Sequence, residues 1–216
     1  MCNMFSKRQK LKPSKLQQLQ RVIIDSVLEC PHLWPGSSFL PQDKFDELLN
    51  DNDIRDVLGR SRIKKDIHNE IIKTLKKTFA ILTLIDMVPT IQAIFKSGFK
   101  DEHIPLYYKS SESPSGLVPG TKFIDKGVLN GFRLEDGWGY SKGLAFFEKQ
   151  YLFLAPTFKG EIEHDDILSD KHPLPFTYVA RKPAGEGGFG RVYQGCVHRK
   201  HQNVLPSVTY SQPNFL

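Results

Sequence analysis

Four glycines fall within six positions, at 185, 187, 188 and 190, and neither a helix interior nor a packed central strand accommodates such a run. The chain has to turn there, and its neighbours decide what kind of turn it makes. Upstream, Phe176-Thr177-Tyr178-Val179 is β-branched and aromatic. Downstream, Arg191-Val192-Tyr193-Gln194-Gly195-Cys196-Val197-His198 alternates, with Val192 and Cys196 on one strand face and Tyr193 and Val197 on the other. A helix opening after the last glycine would need a cap and an apolar stripe, and neither follows. The pattern therefore predicts a β-hairpin with a glycine-rich tip, with Pro183 removing one ladder donor from its first strand.

The residues before the hairpin have a different period. Over 14–29, Leu16, Leu19, Ile23 and Val27 share one helical face, which Val22, Ile24 and Leu28 widen, and Pro31 and Pro35 forbid continuation. Residues 41–49 predict a short helix with Pro41 near its start and Phe45, Leu48 and Leu49 turned inward. Ile54, Val57 and Leu58 suggest a further turn or two, closed by Gly59. Ile67, Ile71, Leu75, Phe79 and Leu82 predict one long helix over 66–85. Pro89 and Gly98 bracket another, carrying Ile91, Ile94 and Phe95. Residues 109–121 have loop composition. Trp138 and Tyr140 then lead into a helix over 141–154, with Leu144, Phe147, Tyr151 and Leu154 on one face and Pro156 ending it.

The expected organisation is a basic N-terminus (1–13), a helical module (14–108), a linker (109–122), an aromatic-rich helical segment packing on the module (123–175), the hairpin (176–200) and a tail (201–216). The fold class is mainly α, a helical N-terminal module followed by a short β-hairpin. A hairpin alone is marginal in water, so it has to pack on the helices or stay mobile.

Composition narrows the function classes. Hydrophobic content of 39% and charged content of 25% fit a soluble globular chain. The most apolar stretch, 79–88, includes Asp86 and Thr83 and is too short for a membrane span. Residues 1–15 lack the apolar core of a secretory signal, and Cys2, Cys30 and Cys196 lie far apart. The expected location is intracellular, cytoplasmic or nuclear, with reduced thiols and no membrane partner. The net charge of +6 comes from scattered groups such as Arg60, Arg62, Lys64, Lys65, Lys73, Lys76 and Lys77, which fit a solvated helix face; nucleic acid is not an expected partner.

Two constellations invite a metal or acid–base reading. Cys196, His198 and His201 are close in sequence but lack standard finger spacing, and they read as a partly buried thiol beside two surface histidines. Glu161, Glu163, His164, Asp165 and Asp166 read as a solvated acidic patch. No metal ligand is assigned.

Gly185-Glu186-Gly187-Gly188-Phe189-Gly190-Arg191-Val192 fits G-x-G-x-x-G-x-V, in which bare backbone lets amide N–H groups approach phosphate oxygens. Residues 176–198 resemble the first two strands and glycine-rich loop of a eukaryotic-type protein kinase. The helical part also resembles an extension ahead of the kinase domain in fungal kinase-like proteins, on Phe79-Ala80-Ile81-Leu82 and on Phe146-Phe147-Glu148-Lys149-Gln150-Tyr151-Leu152-Phe153-Leu154-Ala155-Pro156. The resemblance implies ATP-dependent phosphoryl transfer to protein, with Gly185, Glu186, Gly187, Gly188, Phe189, Gly190 and Val192 at the nucleotide. It also implies a protein partner, or the remainder of a kinase domain. Yet H-R-D and D-F-G occur nowhere, no lysine follows Lys200, and residues 201–216 contain no Arg, Asp or Glu. The expectation is a truncated front portion, inactive alone, with weak or absent ATP binding and Mg²⁺ only where a full kinase domain is present. The alternative is a helical interaction or regulatory module with a vestigial loop.

Overall fold

The computed structural model describes residues 13–31, 37–61, 63–108, 117–119, 135–158, 171–188 and 190–203. Helix α1 (Lys15–Asp25) opens with a capping box: Ser14 Oγ accepts from the Gln17 N–H and Gln17 Oε1 accepts from the Ser14 N–H. It buries Leu19 and Ile23 but leaves Val22 and Ile24 exposed, so those two do not widen the packed face. It also ends four residues before the expected boundary. Pro31 biases the residue before it toward extended backbone, and Leu28–Glu29 forms strand β1 against Ser38–Phe39 (β2).

Helix α2 (Gln42–Leu48) starts after Pro41, which stands at the cap position without a side-chain hydrogen bond. Helix α3 (Asp51–Arg60) is capped by Asn50, whose Oδ1 accepts from the Asp53 N–H at 3.1 Å, and it buries Ile54, Val57 and Leu58. Gly59 lies inside α3 rather than closing it. The stop is Ser61, whose Oγ donates to the Val57 carbonyl.

The long helix expected over 66–85 is two helices, α4 (His68–Thr74) and α5 (Lys76–Leu84), after a 3₁₀ turn at Lys65–Ile67. Leu75, at φ −133° and ψ 28°, leaves helical geometry while its side chain stays wholly buried. The apolar stripe therefore survives a break that its spacing does not reveal. The new helix start needs acceptors for its free N–H groups, and Asp101 supplies them from a distant turn. Its Oδ2 accepts from Lys77 N–H at 2.6 Å, and its Oδ1 accepts from Thr78 N–H at 2.9 Å and Thr78 Oγ1 at 2.7 Å.

A 3₁₀ turn at Val88–Thr90 carries Pro89 into α6 (Ile91–Lys96), and Gly98 follows at φ +80°, the left-handed stop that the sequence predicts. Leu106–Tyr108 (β3) pairs antiparallel with Leu117–Pro119 (β4), a pairing that the helical period conceals. Helix α7 (Glu135–Gln150) starts before the expected residue 141, so Trp138 and Tyr140 belong to it, and a 3₁₀ turn (Tyr151–Phe153) continues it. Phe146, Phe147, Tyr151 and Phe153 join the core formed by Ile23, Phe45, Ile54, Phe79 and Leu82. Fully buried Gln150 is a polar exception. Its Oε1 accepts from Leu106 N–H at 2.7 Å and its Nε2 donates to Leu106 O at 2.8 Å, so it completes β3 as a strand would.

The predicted hairpin is present as two paired segments in line. Phe176–Val179 (β5) pairs antiparallel with Gly195–Val197 (β8), and Gly185–Gly187 (β6) pairs antiparallel with Gly190–Val192 (β7). Ala180 N–H to Gln194 O and Ala184 N–H to Val192 O, both 2.8 Å, join the segments. Pro183 falls between β5 and β6, where no ladder donor is lost. The described architecture is mainly helical with short antiparallel strands. Among the described residues, no helix is long and apolar enough to cross a membrane.

Candidate functional site

The ribbon's root is packed and its tip is bare. At the root, Val179 is 5% exposed and Pro173 and Pro175 are buried. Cys30 Sγ donates to Leu174 O at 2.9 Å, and burial pushes that thiol's pKa up, which keeps it protonated. On the returning arm, His198 N–H donates to Pro175 O. Phe158 then runs beside Gln202 in a parallel bridge, giving its N–H to His201 O at 2.8 Å and accepting from Asn203 N–H at 2.9 Å.

His201 is 2% exposed, which corrects the expectation of a surface histidine. Its Nε2 takes the Gln42 N–H at 3.1 Å, and its Nδ1 lies 3.0 Å from Pro156 O. An amide N–H can only donate, so Nε2 carries no proton and Nδ1–H donates to the carbonyl. The ring also meets Phe39 edge-on, with centroids 5.3 Å apart. Burial lowers its pKa below the ordinary histidine value, in keeping with the neutral form this bonding requires. His198, 5.7 Å away by ring centroid, accepts from Lys200 N–H through Nδ1. Cys196 is exposed rather than partly buried, and no group of three or more His, Cys, Asp or Glu among the described residues is arranged to hold a metal.

At the tip, residues 181–188 and 190–192 are exposed, and Val192, the position that would meet a nucleotide base in a kinase, is 67% exposed. Glu186 and Arg191 face each other across the hairpin, with Arg191 Nε donating to Glu186 Oε1 at 2.7 Å. A Cβ on Gly185, Gly187, Gly188 or Gly190 would meet nothing within 4 Å, and none of the four has left-handed backbone. Gly195 at the root is the opposite case. Its Cβ would stand 3.2 Å from Tyr178 O and 3.3 Å from the Phe176 ring.

The tip glycines set no side chain in the way of a group that approaches the backbone there. The Arg191 guanidinium on the tip is engaged by Glu186. Of the residues predicted for the nucleotide, Gly185, Glu186, Gly187, Gly188, Gly190 and Val192 lie together on this tip, while Phe189 is outside the described residues, as are 161–166 with their acidic patch. A groove of about 680 Å³ lies at the root side instead, among Ser37, Ser38, Phe147, Tyr151 and Lys171, whose Nζ sits 4.3 Å from the centre of the Phe147 ring. Lys76 and Lys77, part of the scattered basic charge, serve the fold: Lys76 covers the Phe45 ring and Lys77 is half-buried beside Asp101. The sequence held no signal for His201, Asp101 or Gln150, because each acts on backbone far away in the chain.

No protein-family model matches the chain, and neither a curated protein nor a solved structure matches it.

Proposed function

We propose that this chain presents a nucleotide-phosphate loop of protein-kinase type on a helical module, and that it transfers no phosphate by itself. The observation that supports this reading is the four tip glycines. Glycine weakens a strand by its backbone entropy and by the packing it forgoes. Here neither left-handed backbone nor lack of space calls for it at any of the four positions. What their missing side chains leave open is the approach of something outside the ribbon to its backbone.

In this reading the N–H groups around Gly187, Gly188 and Gly190 face phosphate oxygens, and Val192 offers an apolar contact to the base. Bound ATP would supply the phosphoryl group, and Mg²⁺ would offset its charge. The chain's own part is to bind and orient, because the kinase lysine, the catalytic aspartate and the magnesium ligands of the family pattern do not occur in this sequence. The test is a titration with ATP·Mg²⁺ followed at the backbone amides, on the wild type and a Gly187→Ala, Gly190→Ala variant. Weak binding confined to residues 185–192 and lost in the variant supports the reading. An unchanged response in the variant, or no response at millimolar ATP, overturns it.

A second reading, a protein-docking helical module, draws on one observation: Val22, Ile24 and Leu28 are 40%, 58% and 39% exposed. It predicts that Ile24→Asp abolishes partner binding while leaving the nucleotide response intact.

A further inference from the structure

We propose that His201 is a proton-operated latch, which fixes the root of the glycine-rich ribbon to the helical module while its imidazole is neutral and lets the root go when the ring is protonated. The inference is independent of nucleotide binding and concerns how the ribbon is held.

The geometry sets the two states. The Gln42 N–H is a free donor at the start of α2, where Pro41 provides no side-chain cap. His201 Nε2 fills that role at 3.1 Å, and Nδ1–H is spent on Pro156 O at 3.0 Å. One ring therefore joins three segments: the helical module at Gln42, the chain after α7 at Pro156 and the ribbon's exit. The Phe158–Gln202 bridge is built around the same residue, through Phe158 N–H to His201 O. A proton on Nε2 turns this acceptor into a donor facing another donor. It also puts a positive charge at a helix start, where the backbone dipoles already point their positive end.

The charged and titratable groups around the ring set how readily it takes a proton. From α2 comes Asp43, whose carboxylate favours the protonated ring and whose buried Oδ1 has no hydrogen-bond partner among the described residues. From the ribbon's exit come His198, 5.7 Å away, and Arg199, which reaches Asp43 Oδ2 at 3.9 Å. Phe39 and the Pro156 and Phe158 backbone, which also meet this residue, carry no charge. A protonated His201 thus loses Gln42, and the Asp43 charge sets how readily the ring takes the proton.

The direction with pH follows. Burial holds the latched ring below the ordinary value near 6.5, so the released state binds the proton more readily. The latch is complete above that value and weakens as pH falls from it through the lower latched pKa. His198 is also lowered by burial, so the two rings have to be followed separately.

The experiment is an NMR pH titration of the whole chain between pH 7.5 and 5, reading both imidazoles and the amides of Gln42, Phe158 and Asp53. The expected result is that Gln42 and Phe158 move with the His201 titration at a midpoint below 6.5. The Asp53 amide, held by the non-titrating Asn50, stays still. His201→Gln, which keeps a donor and an acceptor without a titrating ring, abolishes the Gln42 response. Asp43→Asn, which removes the charge that favours His201 protonation, moves the midpoint to lower pH, and this arm stands even if His201→Gln disturbs folding. A Gln42 amide that stays flat through the His201 titration overturns the proposal. So does a His201 midpoint at or above 6.5, or an Asp43→Asn midpoint that does not fall.

Discussion

Gly190 and Gly195 belong to the same arm of one ribbon, and they are glycine for different reasons. Gly195 lies at the root, where any Cβ would press on the Tyr178 carbonyl and the Phe176 ring. Gly190 lies at the tip, where a Cβ would meet nothing within 4 Å. The first is explained by this chain's own packing. Nothing in the described packing calls for the second, and the functional reading rests on that difference. The helical module sharpens the contrast, because through Cys30, Gln42 and Pro156 it grips the root and leaves residues 181–188 exposed.

The largest expected effect breaks the support under that comparison. Phe79, at the centre of α5, is fully buried. Phe79→Ala removes its transfer energy and leaves a cavity, at a cost of about 3–5 kcal/mol in urea unfolding. The ribbon's root amides should lose protection at the same denaturant concentration as the module. Protection that outlasts the module would show a ribbon that stands by itself, and the root would then not be held by the helices.

Asp101→Ala comes next. It leaves the Lys77 and Thr78 N–H groups and the Thr78 hydroxyl without their acceptor at the start of α5. The expected loss is about 2 kcal/mol by the same measurement, combining a lost cap with buried donors left unmade. A loss no larger than that of an ordinary surface change would mean that α5 finds its cap elsewhere.

The glycines themselves follow. Gly195→Ala forces the Tyr178 carbonyl or the Phe176 ring to give by a few tenths of an ångström, and overpacking of this kind costs about 1–2 kcal/mol. Gly190→Ala should stay within about 0.5 kcal/mol of the wild type, since the added methyl meets nothing and the unfolded chain loses some freedom. The variant that is neutral for stability is the one expected to remove the phosphate contact. Equal costs at the two positions would erase the distinction between root and tip.

How much of this was legible in the sequence follows from the range of each interaction. The buried stripe of Ile71, Leu75, Phe79 and Leu82 was legible, because helical spacing is local. The break at Leu75 was not, because its cap is Asp101, 23 and 24 residues from the donors it serves. Gly59 was misread as a stop, since composition cannot separate a glycine that ends a helix from one that rides inside it. The hairpin and its bare tip were legible from the glycine run and the alternation after it. His201 was invisible as an anchor, because its partner Gln42 lies 159 residues away. The root of the site is therefore made of long-range contacts that no local pattern announces, and the tip is made of local composition that does.

The smallest effect on stability falls on the pair that spans the tip. Glu186 and Arg191 are 59% and 61% exposed by side chain, and exposed pairs contribute little to folding. Glu186→Gln should leave the unfolding midpoint unchanged. Its consequence lies in the field around the loop, because Glu186 both occupies the Arg191 guanidinium at 2.7 Å and sets a negative charge beside the place where phosphates would come. Removing it frees a cation and deletes a repulsion, so ATP·Mg²⁺ affinity should rise by about threefold at low salt and less at high salt. An affinity that falls instead would assign Glu186 a direct part in holding the ligand. The tip would then act through its side chains as well as through the space its glycines leave.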